Sequence, residues 1–420
     1  MFKHALLTLA TAFGLVACNA ATAPEAAKPD AAPAPLASLV IRAHVPADTV
    51  GPVYLTGNLQ SFGPWRPDAL TMTGTGRERV ARLQLALGQS FEYKFALGTW
   101  AREAVDAADR VLPNQVLLVT GDQEINIDIP AFKKDPAVFL ADPAGAGIRG
   151  SLVVWPDVRS RHLAYARHVV IWLPPQYQKQ PERRFRVLYM SDGQNLFDPR
   201  IANTGVDWGV DEAMVELAEA GTIEPAIVVA AFSSPARGPE YSPWHDAPKY
   251  ARFLIEELMP RVNAEFRTRT GPADTLHMGS SMGGLLSFYL VTQHPQQFGS
   301  GGCLSTHFPL SAAIVADRFP EYATAADRDP TPYVLKDIAN GLDLPAGARL
   351  WLDYGSRGLD AEYAPTHASV RAWLLEQGAV EGRDFVLRNY PGADHNETAW
   401  RARLRDALWF LLGERASRTR

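Results

Sequence analysis

The sequence predicts an α/β domain, a mostly parallel sheet flanked by helices, preceded by a small all-β sandwich. Three observations predict it. Between residues 38 and 131, short strand-like runs are divided by Gly, Pro, Asn and Asp, as a β-sandwich requires. From about residue 148, apolar strand-like runs alternate with helical ones, which implies parallel strands with helices on both faces. Inside that second region, Gly279-Ser280-Ser281-Met282-Gly283 stands between a strand-like and a helical stretch. At 420 residues the chain is long enough for both domains, and 47% hydrophobic with 21% charged residues is ordinary globular composition. The net charge of -5, with 41 basic residues scattered along the chain, argues against a nucleic-acid partner.

Residues 1–18 read as a targeting segment. Lys3 and His4 form a short polar start, and residues 5–16 are an apolar run too short to span a bilayer. The run ends in Leu15-Val16-Ala17-Cys18, which resembles the bacterial lipoprotein box, where the cysteine receives lipid and becomes the mature N-terminus. The resemblance implies an exported protein held to the membrane only by lipid on Cys18. Asn19, in place of an aspartate, implies the outer membrane, facing the periplasm or the cell surface. Residues 19–37 are rich in Ala and Pro and form a solvated tether. Cys303 is the other cysteine, so no internal disulfide is expected. Neither CxxC nor HExxH occurs, and no metal or organic cofactor is expected.

The β-rich region has strand-like runs at 39–45, 53–56, 79–87, 91–97 and 124–129. Pro130 and Lys133-Lys134-Asp135-Pro136 mark its end. The α/β region, 148–415, has strand-like runs at 169–173, 186–190, 226–232, 275–278, 349–353 and 385–389. Helical runs fall at 211–219, 250–266, 283–293, 368–377 and 397–412.

The G-x-S-x-G spacing has a physical reason. A serine on a sharp turn between strand and helix crowds its neighbours, and flanking glycines relieve that crowding. The helix N-terminus behind it favours negative charge, so the Met282 N–H is placed to donate to a developing oxyanion. A serine at its ordinary pKa is a poor nucleophile and needs a base. In α/β-hydrolases the order along the chain is Ser, acid, His. Four histidines follow Ser281. His395 lies in a loop after the last predicted strand and before the last predicted helix, where the base belongs. His294 precedes Pro295 at a helix end, His367 heads a helix, and His307 follows a strand with no acid near it. The acid belongs in the loop after 350–354. Asp360 is the candidate and Glu362 the reserve, with Asp353 inside the strand and poorly placed to reach. A solvated loop charge or helix cap is the competing reading of Asp360. The second oxyanion donor belongs in the loop after Val187-Leu188-Tyr189-Met190, from the N–H of Gln194 or Asn195.

These residues resemble the esterase D-type family of α/β-hydrolases, which includes feruloyl and acetylxylan esterases, enterochelin esterases and S-formylglutathione hydrolase. The resemblance covers about 150–412. It rests on Tyr189-Met-Ser-Asp-Gly-Gln-Asn-Leu-Phe-Asp198, Val206-Asp-Trp-Gly-Val-Asp211, Gly279-Ser-Ser-Met-Gly-Gly284 and Gly392-Ala-Asp-His-Asn-Glu397. It implies Ser281 as nucleophile and His395 as base. The family's acid often follows a Gly-Thr-Glu-Asp-like loop, where this chain reads Gly355-Ser-Arg-Gly-Leu-Asp360.

The N-terminal region resembles the starch-binding type of carbohydrate-binding module through Gly57-Asn58, Gly63-Pro-Trp65, Phe91-Glu-Tyr-Lys-Phe95, Trp100 and Pro113-Asn114. The resemblance implies sugar stacking on Trp65 and Trp100, with hydroxyls bonded by Lys94 and Asn114. The competing reading makes both tryptophans core residues of a spacer. The expectation is a serine carboxylesterase working through an acyl-enzyme on a small-molecule or glycan-linked ester, of feruloyl or acetyl type, with polysaccharide as a partner of the N-terminal domain. The alternatives are a siderophore (enterochelin-type) esterase, an acyltransferase, a peptidase and, from another class, a non-catalytic glycan-binding surface lipoprotein.

Overall fold

A computed structural model describes residues 35–59, 65–107, 111–318 and 328–413. The targeting segment, Cys18 and residues 19–34 of the tether lie outside the described residues.

Two sheets form the N-terminal unit. One is three-stranded, in the order β4 (Glu78–Ala86), β1 (Leu36–His44), β8 (Gln123–Asp128). The other is four-stranded, in the order β3 (Leu70–Thr71), β2 (Tyr54–Gly57), β5 (Ser90–Ala96), β7 (Gln115–Leu118). A short ribbon pairs β6 (Ala104–Val105) with β9 (Ala131–Phe132). Alternate residues of β1, Leu39, Ile41 and Ala43, turn inward and meet Leu55, Phe91, Tyr93 and Phe95 of the opposite sheet in one core. Strand β1 starts at Leu36, two residues inside the stretch read as tether, because Pro35 is the last tether proline and apolar alternation begins beyond it.

The second unit is an eight-stranded sheet in the order β10 (Ser151–Val158), β11 (Arg167–Leu173), β13 (Ala226–Ala231), β12 (Arg186–Met190), β14 (Thr275–Ser280), β15 (Ser300–Leu304), β16 (Arg349–Tyr354), β17 (Phe385–Asn389). Strands β10, β11 and β13 pair antiparallel, and every pairing from β13 to β17 is parallel. The central strands are buried on both faces, which is why they read as unbroken apolar runs. Val187, Tyr189, Ile227 and Val229 enter one core, and Leu188, Met190, Val228 and Ala230 enter the core on the other face.

Parallel strands put their carboxyl ends on one edge. The loops after β12, β14, β16 and β17 therefore converge there, and they carry the four candidate segments. The run 250–266, read as one helix, is broken. Helix Ala247–Arg252 passes into a π-helical turn, Phe253–Leu258, before Met259–Glu265 resumes. Pro260 has no N–H to return to the preceding turn, which loosens the ladder at that point.

Candidate active site

Ser281 lies between β14 and the helix Met282–Gln293, with φ 56 and ψ -120. That conformation is strained for a residue with a side chain, and the neighbouring packing imposes it. A Cβ on Gly279 would lie 2.7 Å from the carbonyl carbon of Gly283. One on Gly284 would lie 2.5 Å from Thr306 Oγ1. The glycines thus let strand and helix close tightly enough to push Ser281 outward. The Ser281 backbone is held on both sides: its N–H donates to the Leu304 carbonyl (2.9 Å), and its carbonyl accepts from Leu285 (3.1 Å) and His307 (3.2 Å). Beneath the turn, burial pushes His277 down to about 3, so it stays neutral between the hydroxyls of Ser191 and Ser287.

His395 Nδ1 lies 2.6 Å from Asp360 Oδ1. Asp360 is fully buried. Its other oxygen accepts from Ser305 Oγ and from the Gly355 N–H, both at 2.6 Å. Burial alone would raise this carboxyl. The hydrogen bonds from His395, Ser305 and Gly355 outweigh it and hold Asp360 below its ordinary value. With Nδ1 donating to Asp360, Nε2 is the imidazole nitrogen left to accept a proton. The ring is clamped edge-on by Trp400 (centroids 5.1 Å apart, 82° between planes) and by Tyr363 (5.7 Å, 84°). Trp400 Nε1 in turn donates to Ser305 Oγ (2.9 Å), and Arg403 also donates to that oxygen.

The other candidates separate cleanly. Glu362 is exposed. Asp353 is fully buried and committed to Trp351 Nε1 (2.7 Å), the Ser305 N–H (3.0 Å) and Arg403 (2.9 Å). His307 Nδ1 meets the Tyr363 hydroxyl at 2.7 Å, and His367 Nδ1 meets the Tyr363 carbonyl at 3.0 Å. In the loop after β12, the Asn195 N–H already donates to the Asp192 carbonyl (2.9 Å), and the Gln194 side chain is tied to Ser233.

Ser281 and His395 face a cavity of about 380 Å³, which Trp65, Lys94, Trp100 and Asn114 also line. All four residues of the sugar-binding resemblance thus open onto the same space as the serine. Neither tryptophan belongs to the buried core of its sandwich. Sequence reasoning missed several lining residues: Glu103, Asp192, Arg237, Glu397 and Trp400. Arg237 grips Asp192 through two hydrogen bonds of 2.7 Å, and Lys94 pairs with Glu103 at 3.0 Å. Burial raises the Glu397 carboxyl. The only sequence signal for Asp192 and Glu397 was their place inside two of the matching motifs.

Residues 160–411 match the family model described as Putative esterase. An uncharacterized protein of Bacillus subtilis, YbbA, is 25% identical over 277 residues, covering 61% of this chain and 97% of its own length. An endo-1,4-beta-xylanase/feruloyl esterase of Xylanibacter ruminicola is 25% identical over 204 residues, covering 44% of this chain and 25% of its own. Among solved structures, the enterobactin esterase FES from Shigella flexneri aligns over 89% of this chain and 92% of its own, at 15% identity and TM-score 0.49. The family match gives no support to the non-catalytic reading. The chain belongs to the Putative esterase family and is a hydrolase acting on ester bonds.

Proposed function

We propose that the chain is a serine carboxylesterase in which Ser281 attacks the ester carbonyl, His395 serves as general base and acid, and Asp360 holds the imidazole. One observation carries the reading: a strained, outward-facing serine and an imidazole held by a buried carboxylate open onto a single cavity. As Ser281 Oγ bonds to the carbonyl carbon, its proton passes to His395 Nε2. The C–O bond to the alcohol then breaks, and the alcohol leaves with that proton. Water repeats the sequence on the acyl-enzyme, releasing the acid and restoring the serine. Asp360 stabilises the imidazolium formed in each half.

We assign the oxyanion to the N–H groups of Met282 and Gln194, since the Asn195 N–H is already spent within its own turn. The substrate class we propose is a carbohydrate-linked ester of feruloyl or acetyl type. The two tryptophans on the cavity support it, as does the feruloyl esterase relative. The leader and Leu15-Val16-Ala17-Cys18 support export with lipid on Cys18, at the outer membrane.

Ser281→Ala should abolish hydrolysis of 4-nitrophenyl acetate. Retained turnover in purified protein would sink the assignment. Mass spectrometry after a fluorophosphonate probe should find the label on Ser281.

A further inference from the structure

The cavity over Ser281 has two walls of different origin. One comes from the carboxyl edge of the eight-stranded sheet. The other comes from the N-terminal sandwich, through Trp65, Lys94, Trp100, Glu103 and Asn114. We propose that the sandwich wall is the leaving-group subsite, and that the alcohol it holds is a neutral sugar. The proposal rests on the serine-esterase reading. It goes further by giving the sandwich a part in every turnover, in place of a separate grip on distant polysaccharide.

Position is the first argument. A binding surface that served only as a tether would have no need to share a cavity with the nucleophile. At about 380 Å³, the space falls within the ordinary range for small-molecule sites, about 300–1,000 Å³. Trp65 is the second argument. Its φ is 56, a conformation that bulky residues avoid, and its N–H is fixed to the Gly57 carbonyl at 2.7 Å. The chain tolerates that backbone at a residue whose indole reaches the cavity instead of the core. Strain kept at a cavity-lining residue motivates a binding role.

Charge selects the ligand. Glu103 is shared by the cavity's Lys94 and by the buried Lys133, Arg237 is paired with Asp192, and Glu397 adds a further carboxyl. Three cations, Lys94, Lys133 and Arg237, thus face three acidic groups, Glu103, Asp192 and Glu397, and an anionic leaving group such as a catecholate would find no surplus positive charge. A sugar needs no net charge. Its C–H face suits an indole, and its hydroxyls suit Lys94, Asn114 and Thr204. An ammonium has three donors, and Glu103 takes one from Lys94. Asn114 is fixed by donating to Glu92 (2.7 Å), so its amide is oriented before any ligand arrives.

The test uses two esters of one acyl group, acetylated methyl β-xylopyranoside and 4-nitrophenyl acetate, on the full chain. The quantity read is the ratio of kcat/KM for the sugar ester to that for the aryl ester, in wild type, Trp65→Ala, Trp100→Ala and Trp100→Phe. Loss of folded protein cancels in this ratio. Each alanine variant should lower it about tenfold, or ~1.4 kcal/mol, and Trp100→Phe should restore most of the loss. An unmoved ratio in both alanine variants overturns the subsite. So does a wild type that cleaves the aryl acetate and refuses the sugar ester. Tryptophan-dependent cleavage of a catecholate lactone in preference to both acetates overturns the neutral-sugar assignment. Failure of the serine reading looks different: turnover of both esters would survive Ser281→Ala.

Discussion

Asp360 shows how much of the chemistry rests on one side chain's partners. It takes hydrogen bonds from His395, Ser305 and Gly355 while fully buried, and together they keep it ionised. Its folded value is depressed, so its contribution to stability is present above the ordinary carboxylate range and is lost as pH falls through the folded value. Asp360→Asn keeps the size but turns one oxygen into an NH2 group. His395 must then offer an acceptor at Nδ1, which moves its proton to the nitrogen that should receive the serine's. The expected fall in kcat is about 10⁴-fold on 4-nitrophenyl acetate, with far-UV circular dichroism unchanged. A loss of less than tenfold would mean that another group orients the base. Ser305 supports the same point. Its hydroxyl donates to Asp360 and accepts from Trp400 and Arg403. Ser305→Ala strands the buried Trp400 N–H, while Arg403 keeps Asp353, and should cost about 1–3 kcal/mol, read as a lowered urea midpoint.

At the scale of elements, the motifs divide into those that meet substrate and those that brace the ones that do. Val206-Asp-Trp-Gly-Val-Asp211 is a brace. Trp208 packs on Trp400 (5.6 Å), which packs on His395, and Asp207 accepts from the Gly209 N–H and from Arg401. Asp211 opens the helix Val210–Glu219, whose N-terminus favours a carboxylate. Burial outweighs this and, with Glu212 alongside, raises the Asp211 carboxyl well above its ordinary value. A raised carboxyl binds its proton more tightly in the folded chain. Its contribution is therefore complete below about pH 4 and is lost as pH rises through the folded value. Asp211→Asn keeps an acceptor for the Arg149 N–H (2.7 Å) and removes the charge. It should stabilise the protein at pH 8 by about 1–2 kcal/mol, with a gain that shrinks towards pH 4. Urea titrations at both pH values check this, and a gain independent of pH would refute the burial account.

The same scale explains what was legible in the sequence. Strands β12 and β17 and the helix Glu397–Leu412 read directly, because apolar period and caps agree, with Asn396 accepting from the Ala399 N–H. Strand β15, Ser-Gly-Gly-Cys-Leu, was read only as the unbounded strand that His307 follows. Its glycines carry no strand signal and are there for close packing, since a Cβ on Gly302 would lie 2.6 Å from Met278. Ser281, His395 and Asp360 were legible because each follows a recognisable strand. Ser305, Arg237 and Glu103 were not, since only tertiary contact gives them a role.

At the scale of the molecule, the question is what holds a small sandwich over the cavity of a larger domain. Lys133 was read as part of the boundary that ends the β-rich region, and it is buried. Its ammonium donates to Glu103 (3.2 Å) on the sandwich side and to the carbonyls of Ala202 (2.8 Å) and Asn203 (3.0 Å) on the other. All three donors of an ammonium are thereby used, which is how a buried lysine stays charged while burial lowers its pKa. Glu103 joins Lys133 to Lys94, so one carboxylate links the pin to the cavity wall. Lys133→Met should leave Glu103 with a single cation and take the lysine's donor from the Asn203 carbonyl, while the Ala202 carbonyl keeps the Gly205 N–H (3.1 Å). Breaking a buried pair in this way costs about 3–5 kcal/mol. That cost falls on the contact between the two units and spares either core, so the variant should unfold in two steps. Fluorescence from the tryptophans of the sandwich and of the sheet, followed in urea, should separate in Lys133→Met and coincide in wild type. Coincident transitions at an unshifted midpoint would show that other contacts seat the sandwich and that Lys133 is a bystander.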